Sequence, residues 1–131
     1  MKTFKYLVPV FILLLVALPA EAQKQKIKSI VVTQEKFNTL IPKKVKDYEV
    51  YYDEKENIIE EINYKQGKVA THFKYEYDKD GNKIREEEFD PNGKTIEISV
   101  YKIENGLRVE KTVYDANKKL KSKKYYQYTM Y

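Results

Sequence analysis

Apolar and polar residues alternate along the second half of the chain with a period of two, which is typical of β-strands. Over residues 68–77, one set of alternate positions holds Val, Thr, Phe, Tyr and Tyr, and the other holds Lys, Ala, His, Lys and Glu. Residues 95–100 alternate in the same way, with Ile or Val at every second position. A sustained 3.6-residue period, which would indicate a helix, is absent after residue 22. The pattern therefore predicts an all-β protein.

An aromatic residue followed by Asp recurs along these segments. The four aromatic-Asp pairs begin at Tyr52, Tyr77, Phe89 and Tyr114, and two weaker units begin at Tyr64 and Ile103. Neighbouring units are 11 to 14 residues apart, which is the length of one strand and one tight turn. The repeat predicts consecutive hairpins, and hence an antiparallel β-meander.

The segments between the predicted strands have the composition of tight turns. Asp90-Pro91-Asn92-Gly93 and Asp78-Lys79-Asp80-Gly81 match a type I turn followed by a left-handed Gly. Segments 53–56 and 115–118 keep the Asp but lack the Gly, which implies strain at the left-handed position. Gln66-Gly67 and Asn105-Gly106 match two-residue hairpin turns. The predicted structural turn residues are Asp53, Asp78, Gly81, Asp90, Pro91, Gly93, Asn105, Gly106 and Asp115.

Turns and alternation together predict seven or eight strands in a single curled antiparallel sheet. Residues 34–44 are expected to form the only long connection, because Pro42 disfavours a strand. The strands are expected over residues 27–33, 45–53, 57–65, 68–78, 82–90, 94–104, 107–115 and 119–129.

The predicted strand 82–90 does not suit a two-layer sandwich. It places Ile84 on one face and Phe89 on the other, with charged residues nearly everywhere else. Both faces of this strand are therefore expected to be solvated, or the sheet to form a single layer. The turn before it leaves two registers open, one with Tyr77 opposite Lys83 and one with Tyr75 opposite Ile84.

The first 22 residues have the pattern of a secretory signal peptide. Lys2 and Lys5 precede the apolar run 6–18, and small residues follow, so cleavage is expected after Ala22. The run is shorter than a membrane-spanning helix, and the chain has no Cys that could be lipidated. We expect an exported protein, periplasmic or extracellular, without a stable membrane span. The predicted organisation is signal peptide 1–22, N-terminal strand and linker 23–44, and repeat domain 45–131.

Removing residues 1–22 leaves 109 residues with 23 basic and 19 acidic side chains. Acidic residues interrupt nearly every basic stretch, which argues against a nucleic-acid partner. The one exception, Lys118–Lys124, is interpreted as a solvated edge strand, and contact with an anionic surface or glycan is the alternative.

Composition removes most catalytic and metal chemistry from consideration. The chain has no Cys and one His, so thiolate sites and multi-histidine metal centres are excluded. His72 is expected to be exposed, and no nucleophile motif surrounds Ser29, Ser99 or Ser122. Glu86-Glu87-Glu88 is interpreted as charged ladders between strands. The segment 78–82 departs from the spacing of a calcium loop, so no catalytic residue, metal or cofactor is predicted.

Residues 75–84, with the order Tyr-Glu-Tyr-Asp-Lys-Asp-Gly-Asn-Lys-Ile, resemble the YD repeat of RHS-type bacterial proteins. Residues 84–96 give a second match, and 52–58 and 114–120 are degenerate copies without the Gly. The resemblance covers about residues 48–128 and implies a β-hairpin fold and secretion. Large members of that family form β-shells, which about four copies are too few to close. The chain also resembles MORN-like secreted hairpin repeats, whose Gly spacing it matches less closely.

The abundance of Tyr, 13 residues, is the feature that points to function, because Tyr combines a large rigid ring with a polar tip. The alternative is that these residues form the repeat framework. We expect a non-enzymatic binding or cell-surface interaction module for a protein or glycan, with self-association through a sheet face or edge also open. The second hypothesis is a small outer-membrane β-barrel, and the third is an enzyme of unknown type. The candidate ligand-surface residues are Tyr52, Tyr64, Tyr75, Tyr77, Tyr101 and Tyr114.

Overall fold

The computed structural model describes residues 26–37 and 40–131, so the predicted signal peptide lies outside the described residues. The described chain forms one open sheet of eight antiparallel strands in sequence order, which confirms the predicted all-β meander. A helix suited to crossing a membrane is absent from these two ranges. The strands are β1 (Ser29–Lys36), β2 (Lys43–Tyr52), β3 (Ile58–Lys65), β4 (Lys68–Tyr77), β5 (Lys83–Phe89), β6 (Thr95–Glu104), β7 (Leu107–Asp115) and β8 (Leu120–Tyr125).

Two predicted strand ends were wrong by more than two residues. The connection predicted over 34–44 is shorter, because β1 continues to Lys36 and pairs there with Lys43 of β2. Pro42 lies just before β2 and so removes no donor from the sheet. The last strand ends at Tyr125, whereas the prediction extended to residue 129. It is an edge strand and is exposed along its whole length, as interpreted from the Lys run.

Every hairpin contains a shift in register. In β4–β5, Glu76 pairs with Arg85 and Tyr77 with Lys83, so the bulged-loop register is the one adopted and Ile84 is left unpaired. A bulge of this kind sets two residues of one strand against one of its neighbour. The same position, six residues after the turn Asp, is unpaired in all four hairpins that carry the aromatic-Asp pair: Ile59, Ile84, Ile96 and Lys121.

The left-handed positions predicted from the turns are confirmed. Gly67, Gly81, Gly93 and Gly106 all have positive φ. The two turns without Gly hold Glu56 at φ 66° and Lys118 at φ 63°. A side chain in this region is disfavoured by contact with the backbone carbonyl.

We predict that Glu56→Gly stabilises the protein by about 0.5–1 kcal/mol, because relief of left-handed strain exceeds the extra entropy cost of Gly. Lys118→Gly should stabilise the protein by a similar amount, for the same reason. Urea denaturation of each variant measures the change, with Glu54→Gly as the control from the same turn. Equal or lower stability of Glu56→Gly than of Glu54→Gly would contradict the explanation.

The single layer gives the sheet two solvated faces and a thin core. The only buried apolar side chains among the described residues are Val50, Tyr101 and Val113, and none there is completely buried. Because no second layer covers the described sheet, burial comes from neighbouring side chains on the same face. We name the faces by one residue each. The His72 face carries Glu49, Tyr51, Glu60, His72, Glu87, Ile98 and Tyr114, and the Tyr101 face carries Val50, Phe73, Tyr75, Glu86, Ser99, Tyr101 and Val113.

Candidate ligand-binding surface

Two neighbouring Asp turns border a shallow depression at one end of the sheet. Its volume is about 610 Å³. The sequence separates the two turns by 25 positions, and they meet because β2–β3 and β4–β5 both reverse at the same end of the meander. Four residues singled out from the sequence are therefore brought together here. The lining is Asp53, Glu54, Lys55, Asn57, Ile59, Tyr75, Glu76, Tyr77 and Asp78.

Both turns are fixed by the carboxylate that opens them. Asp53 Oδ1 accepts hydrogen bonds from the backbone N–H groups of Lys55 and Asn57, at 2.8 and 2.9 Å. Asp78 Oδ1 binds the N–H groups of Asp80 and Asn82 in the same way, both at 2.9 Å. The pKa of both carboxyls lies below its usual range, mainly because the side chains of Asn57 and Asn82 donate hydrogen bonds to them. These bonds rigidify the rim of the depression.

The two tyrosines in the depression are held by their own hydroxyl groups. Tyr77 donates to the carbonyl oxygen of Ile58 at 2.7 Å, and Tyr75 donates to Glu61 Oε2 at 3.2 Å. The pKa of both phenol groups lies above its usual value, mainly because the groups are partly buried. These bonds fix the orientation of both rings while the sheet leaves part of each ring accessible.

A row of alternating rings and cations extends from the depression across the Tyr101 face. Lys83 Nζ lies 4.6 Å from the ring centre of Tyr75 and 5.7 Å from that of Tyr101. It also pairs with Glu86 at 2.6 Å. On the far side of Tyr101, the guanidinium of Arg108 stacks 3.8 Å from the ring centre, and Lys111 lies at 5.6 Å. Tyr101 is therefore enclosed by cations, with only 6% of its surface exposed, and burial raises its pKa.

The structure distributes the six candidate tyrosines over both faces. Tyr75, Tyr77 and Tyr101 share one face, and Tyr52 borders a separate depression of about 410 Å³ near Ile27. Tyr64 lies on the His72 face, where its hydroxyl donates to Glu49. Tyr114 lies there too, beside Ile98, in a depression of about 350 Å³. A single surface containing all six is therefore not formed.

A buried carboxylate on the His72 face, that of Glu49, was not predicted from the sequence. Glu49, only 5% exposed, accepts hydrogen bonds from Lys46 at 2.5 Å, Tyr64 at 2.6 Å and Tyr51 at 2.7 Å. These hydrogen bonds, and the one from Lys46 most of all, lower the pKa of Glu49 to about 2. A lone acid within the apolar segment 48–52 was the available signal, but the contact with Tyr64 depends on the register between β2 and β3.

The prediction that His72 is exposed was wrong. Its side chain is 17% exposed because the register places Ile62 and Phe89 directly beside it. The ring packs on Phe89, with 4.8 Å between ring centres, and Nε2 lies 2.7 Å from Glu60 Oε1. This pair lies on a sheet face among charged neighbours such as Lys74, which is 3.7 Å from the same carboxylate.

The acidic run of β5 was interpreted as charged ladders between strands, but its ion pairs lie within β5 itself. Glu86 pairs with Lys83, and Glu87 pairs with Arg85 at 2.7 Å while accepting from Thr95 at 2.7 Å. Glu88 faces Phe73 and Glu97. Within residues 26–37 and 40–131, no group of three or more acidic or His side chains is arranged to hold a metal ion.

Comparison with known proteins does not identify a family for this chain. The resemblance to YD-repeat proteins thus stays a prediction based on the motifs around Asp78 and Asp90. No protein-family model matches the chain, and no curated protein matches it.

Proposed function

We propose that the protein is an exported, non-enzymatic binding module whose ligand is a glycan chain. The observation that carries the proposal is the depression between the two Asp turns, where Tyr75 and Tyr77 lie beside polar groups on a rigid rim. Its volume falls within the usual range for small-ligand sites. Export rests on the signal-peptide pattern of residues 1–22.

The lining suits a sugar better than a wholly apolar ligand. The partly exposed rings of Tyr75 and Tyr77, with Ile59, offer apolar surface for the C–H face of a sugar ring. Asn57 offers hydrogen-bonding groups for its hydroxyls. Because the tyrosine rings are already fixed by their hydroxyl bonds, little side-chain entropy is lost when a ligand binds.

We predict that Ile59→Glu lowers glycan affinity about tenfold, because a charged group replaces the apolar contact, which is a difference of about 1.4 kcal/mol. Ile96→Glu is the matched control. It is the equivalent unpaired residue of another hairpin and is similarly exposed, at 45% against 38% for Ile59, but does not line this depression.

The measurement is binding of the purified exported protein and both variants to an array of neutral and acidic glycans. The proposal expects at least one glycan whose binding falls with Ile59→Glu and stays within twofold with Ile96→Glu. Equal effects of the two substitutions, or no bound glycan at all, would contradict it.

A further inference from the structure

Two of the cations beside Tyr101, and Lys124 on the next strand, have no acidic partner within the described residues. Arg108, Lys111 and Lys124 form none of the ion pairs found there, whereas Lys121 pairs with Glu97 and Lys123 with Glu110. Arg108 Nε is completely covered and has no hydrogen-bond acceptor. Its stacking on Tyr101 at 3.8 Å fixes the plane of the guanidinium. The remaining N–H groups of a guanidinium held in this way suit two-point binding of an oxyanion.

Lys111 and Lys124 are direct cross-strand partners in β7–β8. Like charges placed directly opposite each other destabilise a sheet. Lys111 contacts the ring of Tyr101 in return, but Lys124 gains no partner within the described residues, which is the behaviour of a residue retained for binding. Together with Arg108, the pair forms what we call the Arg108 cluster, defined as Arg108, Lys111 and Lys124.

Acidic residues occupy the opposite end of the same face. Glu88 lies directly opposite Glu97 on the neighbouring strands β5 and β6, and Glu97 lies directly opposite Asp115 on β6 and β7. Position 97 lies four residues from position 101 along β6, about 13 Å at the usual strand rise. Nucleic acid carries a charge about every 3.4 Å along each strand, so it would meet this acidic row. A polymer with widely spaced anionic groups avoids it.

We infer that the Arg108 cluster binds the carboxylate or sulfate group of an acidic polysaccharide. This inference rests on the proposed glycan-binding function and specifies its ligand class. Lys83, between Tyr75 and Tyr101, connects the cluster with the depression. A single chain can therefore place a sugar ring beside Tyr75 and an anionic group at Arg108.

The test measures binding of the full exported protein to sparsely sulfated dextran and to sparsely carboxymethylated dextran, with uncharged dextran as the reference. Arg108→Gln is expected to lower affinity for the acidic polymers about tenfold, and Lys111→Gln with Lys124→Gln together about twentyfold. Higher salt should weaken wild-type binding more than binding of the double variant. The two acidic polymers distinguish sulfate from carboxylate as the preferred group.

Lys123→Gln is the matched control, because it removes one charge from the strand position next to Lys124 but on the opposite face. It should leave affinity within twofold. Lys124→Gln alone should also lower affinity for the acidic polymers, and it should unfold at the same or a higher temperature than the wild type. It removes the Lys111–Lys124 repulsion and keeps the contact of Lys111 with Tyr101. A loss of binding with no loss of stability excludes a merely structural role, even if Arg108→Gln weakens the fold.

Unchanged affinity of the double variant for both acidic dextrans would overturn the inference, whatever Ile59→Glu does. Tighter binding of a single-stranded DNA of equal charge, or salt-dependent dimerisation abolished by the same variants, would also overturn it, in favour of nucleic acid or a second copy. A further outcome is that the variants of the Arg108 cluster abolish binding while Ile59→Glu has no effect on any glycan. That result would support the Arg108 cluster as the anion site and exclude the depression as the site of the sugar ring.

Discussion

Replacing Tyr101 by alanine is expected to lower the free energy of unfolding by about 3 kcal/mol, the lower end of the range for large aromatic core residues. Tyr101 is one of three buried apolar residues among those described and the only aromatic one. The substitution removes its ring from beneath Arg108, Lys83 and Lys111, and so removes both packing and cation–π contacts.

The matched variant is Tyr101→Phe, which keeps the ring. The Tyr101 hydroxyl makes no hydrogen bond to the described residues, so this variant should stay within about 0.5 kcal/mol of the wild type. Guanidinium chloride denaturation followed by circular dichroism measures both. If Tyr101→Phe were as destabilising as Tyr101→Ala, the hydroxyl would be the important group and the packing explanation would be wrong.

Glu49→Gln is expected to cost about 2 kcal/mol at neutral pH. A shift of the Glu49 pKa from 4.5 to about 2 corresponds to about 3 kcal/mol at 1.36 kcal/mol per unit. We reduce this figure because Lys46, the first partner, is half exposed to solvent. Glu104→Gln is the control. Its carboxylate also pairs with a Lys, at 2.9 Å, but is 55% exposed, so its loss should change stability by less than about 0.5 kcal/mol.

The same carboxylate predicts a dependence of stability on pH. Because folding lowers the pKa of Glu49, its contribution is fully present above the unfolded value of 4.5 and is lost as the pH falls towards 2. Denaturation at pH 7, 4.5 and 2.5 should therefore show the difference between wild type and Glu49→Gln shrinking at the lowest pH. A difference that stays constant from pH 7 to 2.5 would show that Glu49 stabilises the fold by packing and not by charge.

The strands could be predicted because their signals are local. Alternation of period two fixes which segments are extended, and Asp-x-x-Gly or Asn-Gly fixes where they reverse. Even the register at Tyr77 and Lys83 was one of only two that the turn allowed. The connection before β2 was misjudged because Pro42 excludes a strand only at its own position, and β1 could continue to Lys36.

The candidate site was predictable in its parts but not as a whole. The sequence pattern singled out Tyr75, Tyr77, Asp53 and Asp78, which the meander brings together. It grouped Tyr64 and Tyr114 with them, although these lie on the other face. Each hairpin has a register shift, and a shift of one residue exchanges the faces of the residues beyond it. Face assignments over several strands therefore need the three-dimensional structure.

By itself, the sequence determined an all-β meander, its turns and the left-handed positions, because these depend on interactions between residues close together in the chain. Only the tertiary structure decided that Tyr101 is enclosed while Tyr114 borders an open depression, and that Glu49 and His72 are covered. The reason is physical. In a single-layer sheet, burial is produced by the side chains on adjacent strands, and those neighbours are set by register and bulges that no local pattern specifies.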